Sequence, residues 1–286
     1  MQGKTVVITG ATSGIGEVAA IELARQGARI VLIARSPFRS DTTMARLSIA
    51  NSAVKHVAYR ADLSRLSEMK RIAGEIAAAE PKIDVLINNA GALFNTREKT
   101  PDGLEMTFAT NHMAYFVVTN LLLDRLKATP GARIVSTASD AHKGAKLDFD
   151  DLQCEKKFAG FAVYSKSKLC NILFNRELAR RLAGTGVTAN CLHPGFVATR
   201  FGDNNDGVMG FGIGIAKKVG AISPEDGAKT IVYLASSPDV ASQSGGYYYK
   251  CAPATPTKEA QNDADAKRLW EVSAKIAGVG AGPAMG

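Results

Sequence analysis

Seven short runs rich in β-branched and other apolar residues recur along the chain, at residues 6–9, 29–34, 54–60, 85–88, 133–138, 187–193 and 246–250. Helical stretches stand between them, at residues 15–26, 64–79, 104–127, 161–182 and 224–234; Gly27 stops the first, and Ser223-Pro224-Glu225 opens the last. Parallel neighbours need a crossover between them, and near-continuous apolar strands must be covered on both faces. The alternation therefore predicts an α/β fold: a doubly wound parallel sheet of about seven strands with helices on both faces. With 286 residues, 46% of them hydrophobic, there is ample material for one core, and no repeat or linker divides it, so residues 1–286 are expected to form one domain.

The formal charge of +8 raises the question of a polyanionic partner. Lys and Arg alternate with Asp and Glu, as in residues 258–275, and no basic stripe with interspersed aromatics occurs, so nucleic acid is not expected. Cys154, Cys170, Cys191 and Cys251 form no C-x-x-C pair, which predicts neither a metal site nor a disulfide framework and suits a reducing cytoplasm. The chain enters a strand within a few residues, and no apolar run approaches about 18 residues. Neither a signal peptide nor a membrane span is expected.

Two motifs carry chemistry. The first strand runs straight into Gly10-Ala11-Thr12-Ser13-Gly14-Ile15-Gly16, which then opens a helix. Glycines there let backbone N–H groups and the helix N-terminus approach a pyrophosphate, the signature of a Rossmann dinucleotide site. Downstream, Tyr164 and Lys168 are one helical turn apart, a spacing at which an ammonium favours the phenolate and is expected to lower the tyrosine pKa. Residues 200–222, rich in glycine and in apolar side chains such as Phe201, Val208, Met209, Phe211, Ile213 and Ile215, contain a G-x-G-x-G with no strand before it. They are read as a substrate loop rather than a cofactor site, with a lid, a filler of a local core and a subunit contact all open, and residues 278–286 as a frayed tail.

Thr9-Gly10-x-x-x-Gly14-x-Gly16, Asn88-Asn89-Ala90-Gly91, Asn111, Ser139 and Tyr164-x-x-x-Lys168, in this order, resemble the short-chain dehydrogenase/reductase family over nearly the whole chain. Asp140-Ala141-His142, residues 149–152, Ser167-Lys168-Leu169, Asn171, residues 184–188 and His193-Pro194-Gly195 look closest to its retinol-dehydrogenase-like branch, without the N-terminal membrane anchor common in animal members. The resemblance implies an oxidoreductase in which Tyr164 exchanges a proton with a carbonyl oxygen and Ser139 orients that oxygen. Lys168 would tune Tyr164 and bind the nicotinamide ribose, and Asn111 would hold a water in a proton relay. It further implies a cofactor lined by Gly10, Thr12, Ser13, Gly14, Ile15, Gly16, Asp62, Leu63, Asn89, Ala90, Gly91, Pro194, Gly195, Val197 and Thr199, with Asp62 at the adenine. His142 and His193 are tempting catalysts, but the family pattern gives the proton to Tyr164.

The end of the second strand decides the cofactor variant. Ala34-Arg35 offers no acid for ribose hydroxyls and a guanidinium suited to a 2′-phosphate, so NADP(H) is expected over NAD(H). Ser13 stands where many NADP members carry a basic residue, so this reading rests on Arg35 with help from Arg39. The expected substrate is a small apolar carbonyl or alcohol, and the two long helices carrying Asn111 and Tyr164 would be the surface of a homodimer or homotetramer. Two alternatives remain at this point: a non-catalytic NADP(H)-binding redox sensor or scaffold, and a sugar-nucleotide epimerase.

Overall fold

The computed structural model describes residues 1–197 and 222–279. Their sheet contains β1 (Thr5–Thr9), β2 (Arg29–Ala34), β3 (Val57–Arg60), β4 (Val85–Asn88), β5 (Arg133–Thr137), β6 (Thr188–Leu192), β7 (Tyr247–Tyr249) and β8 (Ala252–Pro253), in the order β3-β2-β1-β4-β5-β6-β7-β8. Neighbours are parallel from β3 to β7, and β8 runs antiparallel to β7. This is one strand more than the sequence suggested. The extra strand is two residues long and is reached through Lys250 and Cys251, both at positive φ (49° and 60°), a tight turn without glycine that leaves no pattern to read.

Successive strand residues point to opposite faces, so each strand feeds two cores. Val6, Ile8, Ile30, Leu32, Val85 and Ile87 pack under α1 (Gly14–Arg25), whereas Val7, Val31, Leu86 and Ile134 pack under α3 (Leu66–Ala79). The strand order reverses between β1 and β4, and the crevice outside the carboxyl ends of the strands at such a point is where ligands bind in this architecture.

Two helices were not expected from sequence. The first, α2 (Pro37–Ala50), starts at Ser36, whose hydroxyl accepts from the Arg39 N–H at 3.5 Å, and it buries Ser40, Thr43 and Leu47. With two of those three side chains polar, its inward stripe does not stand out as apolar. Beyond α3, the expected helix 104–127 is broken into α4 (Met106–Phe108), a π-helical turn (Ala109–Met113) and α5 (Ala114–Lys127). The catalytic candidates of the next helix lie on α6 (Gly160–Arg181), followed after β6 by α7 (Pro224–Ser236).

The second unexpected helix, α8 (Asp263–Ala277), is capped by Asn262, whose side chain accepts from the N–H groups of Ala264 and Asp265, and it ends at Gly278 with φ 63°. Trp270 from α8 lies against Phe116 and Phe174, with ring centroids 4.9 and 5.8 Å away. On α6 the nine consecutive residues from Ser167 to Asn175 are all buried, more than two turns closed in from every side.

Among the described residues no helix is long and apolar enough to cross a membrane. Of the expected substrate loop 200–222 only Ile222 is described. It pairs with Val197, and its N–H donates to the Phe196 carbonyl at 2.8 Å, so the two ends of that segment stand side by side. Thr199, the apolar residues Phe201 to Ile215 and the tail beyond Val279 lie outside the described residues.

Candidate active site

The glycine loop is built for a close backbone approach. Gly10 and Gly14 take φ of 67° and 58°, left-handed conformations that side chains disfavour. A Cβ on Gly10 would stand 2.6 Å from the Ala90 Cα, and one on Gly16 would meet the Asn89 amide and lie 2.6 Å from the Gly10 carbonyl oxygen. Thr9 and Asn89 stitch the loop to the end of β4: the Thr9 hydroxyl accepts from the N–H groups of Asn89 (2.9 Å) and Ala90 (3.0 Å), while the Asn89 amide donates to the Gly10 carbonyl (3.1 Å). Ser13 caps α1 without any side-chain hydrogen bond, which leaves the first-turn N–H groups to an anion, as a pyrophosphate cradle requires. Thr12 and Ile15 are half-buried beside it. Across the crevice a Cβ on Gly227 of α7 would lie 2.8 Å from both Ile15 and Val197, so the two walls of the cradle meet there.

The second half of the site closes around Gly91. A Cβ at that position would be 3.3 Å from Lys168 Nζ and 3.5 Å from Asn111 Oδ1. Lys168 Nζ donates to the Thr137 carbonyl at 3.1 Å and sits 5.6 Å from the centre of the Tyr164 ring. Ser139 hydrogen-bonds the Tyr164 hydroxyl, and its own oxygen accepts from the Ala141 N–H at 3.2 Å. Ser139, Tyr164, Lys168 and Asn111 therefore converge from the turn after β5, from α6 and from the π-helical turn, a kind of local distortion frequent at functional sites.

The electrostatics correct one expectation. Burial pushes the Tyr164 phenol up to about 12, against the Ser139 hydrogen bond that favours ionisation, and pushes the Lys168 ammonium down to about 7. The lysine does not dominate the tyrosine, because the same burial that brings them together also penalises its charge. Asn111 is firmly held. Its Oδ1 accepts from the Ala92 N–H (2.8 Å), and its Nδ2 donates to the Ala92 carbonyl and the Ser167 hydroxyl (both 2.9 Å). The side chain is thus a brace between the β4 loop and α6.

The remaining candidates fall along the same crevice. Arg35 is exposed where β2 ends, with no described residue paired to its guanidinium, and the exposed Arg39 follows one turn on. Asp62 Oδ1 accepts from the Ser64 N–H (3.1 Å) and hydroxyl (2.8 Å), beside buried Leu63. Pro194 precedes Gly195, whose φ of 87° turns the chain and whose Cβ would touch Ile222 at 3.1 Å.

The histidines are committed elsewhere. His142 Nε2 accepts from the Thr257 N–H (3.3 Å), so Nδ1 carries the proton and donates to the Ser139 carbonyl (2.7 Å), and His193 stacks on Tyr249 at 4.1 Å. Thr137 was missed from sequence. Its carbonyl takes Lys168, Asn171 (3.2 Å) and Tyr115 (3.3 Å), a backbone role with no residue-type signal.

Comparison with known proteins agrees with this geometry. The model of the family described as short chain dehydrogenase matches residues 4–209. Retinol dehydrogenase 13 of Homo sapiens is 40% identical over 97% of this chain and 85% of its own, and retinol dehydrogenase 14 of Mus musculus 38% identical over 98% and 87%. Among solved structures, a protein from Mycobacterium Paratuberculosis superposes with a TM-score of 0.78 at 30% identity, covering 97% of this chain and 94% of its own. A short chain dehydrogenase from Burkholderia cenocepacia J2315 in complex with NADP gives 0.69 at 25% identity, covering 86% and 95%.

Proposed function

Because the chain belongs to the short-chain dehydrogenase family, in its retinol-dehydrogenase-like branch, and is an oxidoreductase of the CH–OH/C=O pair, we propose that it interconverts a hydrophobic aldehyde or ketone and its alcohol with NADP(H). The observation that carries this reading is the buried Tyr164 phenol, hydrogen-bonded by Ser139 and standing over Lys168. Pushed up to about 12, the phenol is protonated at neutral pH and ready to give its proton to a carbonyl oxygen. Ser139 shares that oxygen and orients it, while Lys168, 5.6 Å from the Tyr164 ring centre, would bind the nicotinamide ribose.

The bound cofactor would supply or accept the hydride. Gly10 to Gly16, Asn89 to Gly91, Asp62, Leu63, Lys168 and Pro194 to Val197 would hold it, and the open N-terminus of α1 supports that fit. Exposed Arg35 and the absence of an acid at the end of β2 support NADP(H) over NAD(H), as does the NADP-complexed relative. The relatives are named for retinol, an apolar alcohol, which supports an apolar substrate.

Four free cysteines support a cytoplasmic setting. A homodimer or homotetramer built on the middle of α6 would have to displace α8, so light scattering of the full chain, with and without the Trp270→Ala change that loosens α8, tests that assembly.

The decisive experiment is an NADPH-oxidation screen over aldehydes and ketones with Tyr164→Phe alongside. The variant keeps the ring and loses only the proton donor, so turnover falls about a hundredfold or more while NADPH affinity barely changes. Near-full activity in the variant refutes the role.

A further inference from the structure

Four large apolar side chains are strongly exposed among the described residues: Phe38, Ile49, Phe161 and Phe196. Phe38 and Ile49 stand on α2, and Phe196 closes the segment after Gly195. Phe161 is the one whose ring lies against a catalytic side chain, with its centroid 6.4 Å from that of Tyr164 and the rings tilted by 39°. It precedes Tyr164 by three residues in the first turn of α6, which puts both on one face of the helix. More than half of its surface, 57%, remains open to solvent.

The backbone beneath this ring is fixed. A Cβ on Gly160 would run into the Phe94 carbonyl and stand 3.0 Å from the Asn95 Cα, so the start of α6 is seated directly on the 94–95 segment. The Ser165 hydroxyl donates to the Phe161 carbonyl at 2.8 Å and ties down the same turn. A large apolar side chain on a fixed backbone beside the reacting phenol needs less ordering to meet a ligand than one on a loose segment.

We propose that Phe161 is a specificity-determining residue: its open ring face is the wall against which the hydrocarbon part of the substrate lies while the oxygen-bearing carbon is at Tyr164. The proposal rests on the oxidoreductase reading above and adds to it the side chain that selects apolar substrates. Each methylene that packs on the ring leaves water, and a buried methylene favours binding by roughly three- to fourfold.

The test is calorimetric binding of straight-chain primary alcohols, from butanol to decanol, to the full chain at saturating NADPH, the cofactor form that cannot oxidise them, for wild type, Phe161→Ala and Phe161→Leu. Thermal melts and NADPH affinity of each variant establish that the fold is kept. In wild type, Kd should fall about threefold per added methylene over part of the series. Phe161→Ala should lose at least half of that dependence, and Phe161→Leu, which restores an apolar wall, should recover most of it. A chain-length dependence in Phe161→Ala equal to that of wild type overturns the proposal, and so does wild-type binding that ignores chain length. The oxidoreductase reading is judged separately, by NADPH oxidation with decanal: absence of turnover there would sink it, while the alcohol series still decides the role of Phe161.

Discussion

Replacing Lys168 by Met should stabilise the folded chain while destroying its activity. Lys168 is 3% exposed, and burial takes its ammonium from 10.5 to about 7. At about 1.4 kcal/mol per pH unit, that drop is a penalty on the order of 5 kcal/mol for holding the charge in the folded state. Met keeps an unbranched apolar stem and carries no charge. The substitution removes the hydrogen bond to Thr137, but that carbonyl still accepts from Asn171 and Tyr115, so it is not orphaned. With about 2 kcal/mol returned for the lost charged hydrogen bond, the net gain at pH 7 is about 3 kcal/mol, several degrees in Tm.

The pH dependence identifies the cause. Between about 7 and 10.5 the unfolded chain holds a proton that the folded chain has shed, so wild-type stability rises with pH across that window. The advantage of Lys168→Met is therefore full at pH 7 and below and shrinks toward pH 10. Measurements should stop there, because Tyr164, raised from 10.0 to about 12, begins to cost stability above its unfolded value. The assay is urea unfolding of cofactor-free protein at half-unit steps from pH 6.5 to 10. A variant less stable than wild type at pH 7, or a difference that does not change with pH, would refute the account of a charged lysine held against desolvation.

The sheet and the convergence of the candidate site residues were legible because each rests on residue type at fixed spacing. Apolar β-branched runs located seven of the eight strands, and a strand leading into Gly10, Gly14 and Gly16 located the crevice. What escaped was whatever rests on one-sided or backbone chemistry. The α2 helix hides its stripe behind Ser40 and Thr43, and α8 hides Trp270 among many Lys, Arg, Asp and Glu residues. Thr137 acts through a carbonyl that any residue could supply. The spacing of Tyr164 and Lys168 placed the pair correctly and misjudged its electrostatics. Spacing reports proximity, whereas the pKa values follow from burial that only the packed structure reveals.

Trp270→Ala should lower unfolding free energy by about 3–4 kcal/mol, read by denaturant titration, since the ring is 5% exposed, stacks on Phe174 and carries Arg181 4.5 Å above it. A loss below about 1 kcal/mol would show that α8 is not anchored through this side chain. Arg35→Asp should move the ratio of NADPH to NADH catalytic efficiencies by about tenfold or more, roughly 1.4 kcal/mol. The exposed guanidinium at the end of β2 pairs with no described residue, and a carboxylate there repels a 2′-phosphate while accepting from a ribose hydroxyl. Arg39 lies one turn on and would retain part of the phosphate affinity, so Arg35→Asp with Arg39→Ala should shift the ratio further than either alone. An unchanged ratio in the double variant would place phosphate recognition elsewhere in the crevice and remove the structural basis for preferring NADP(H).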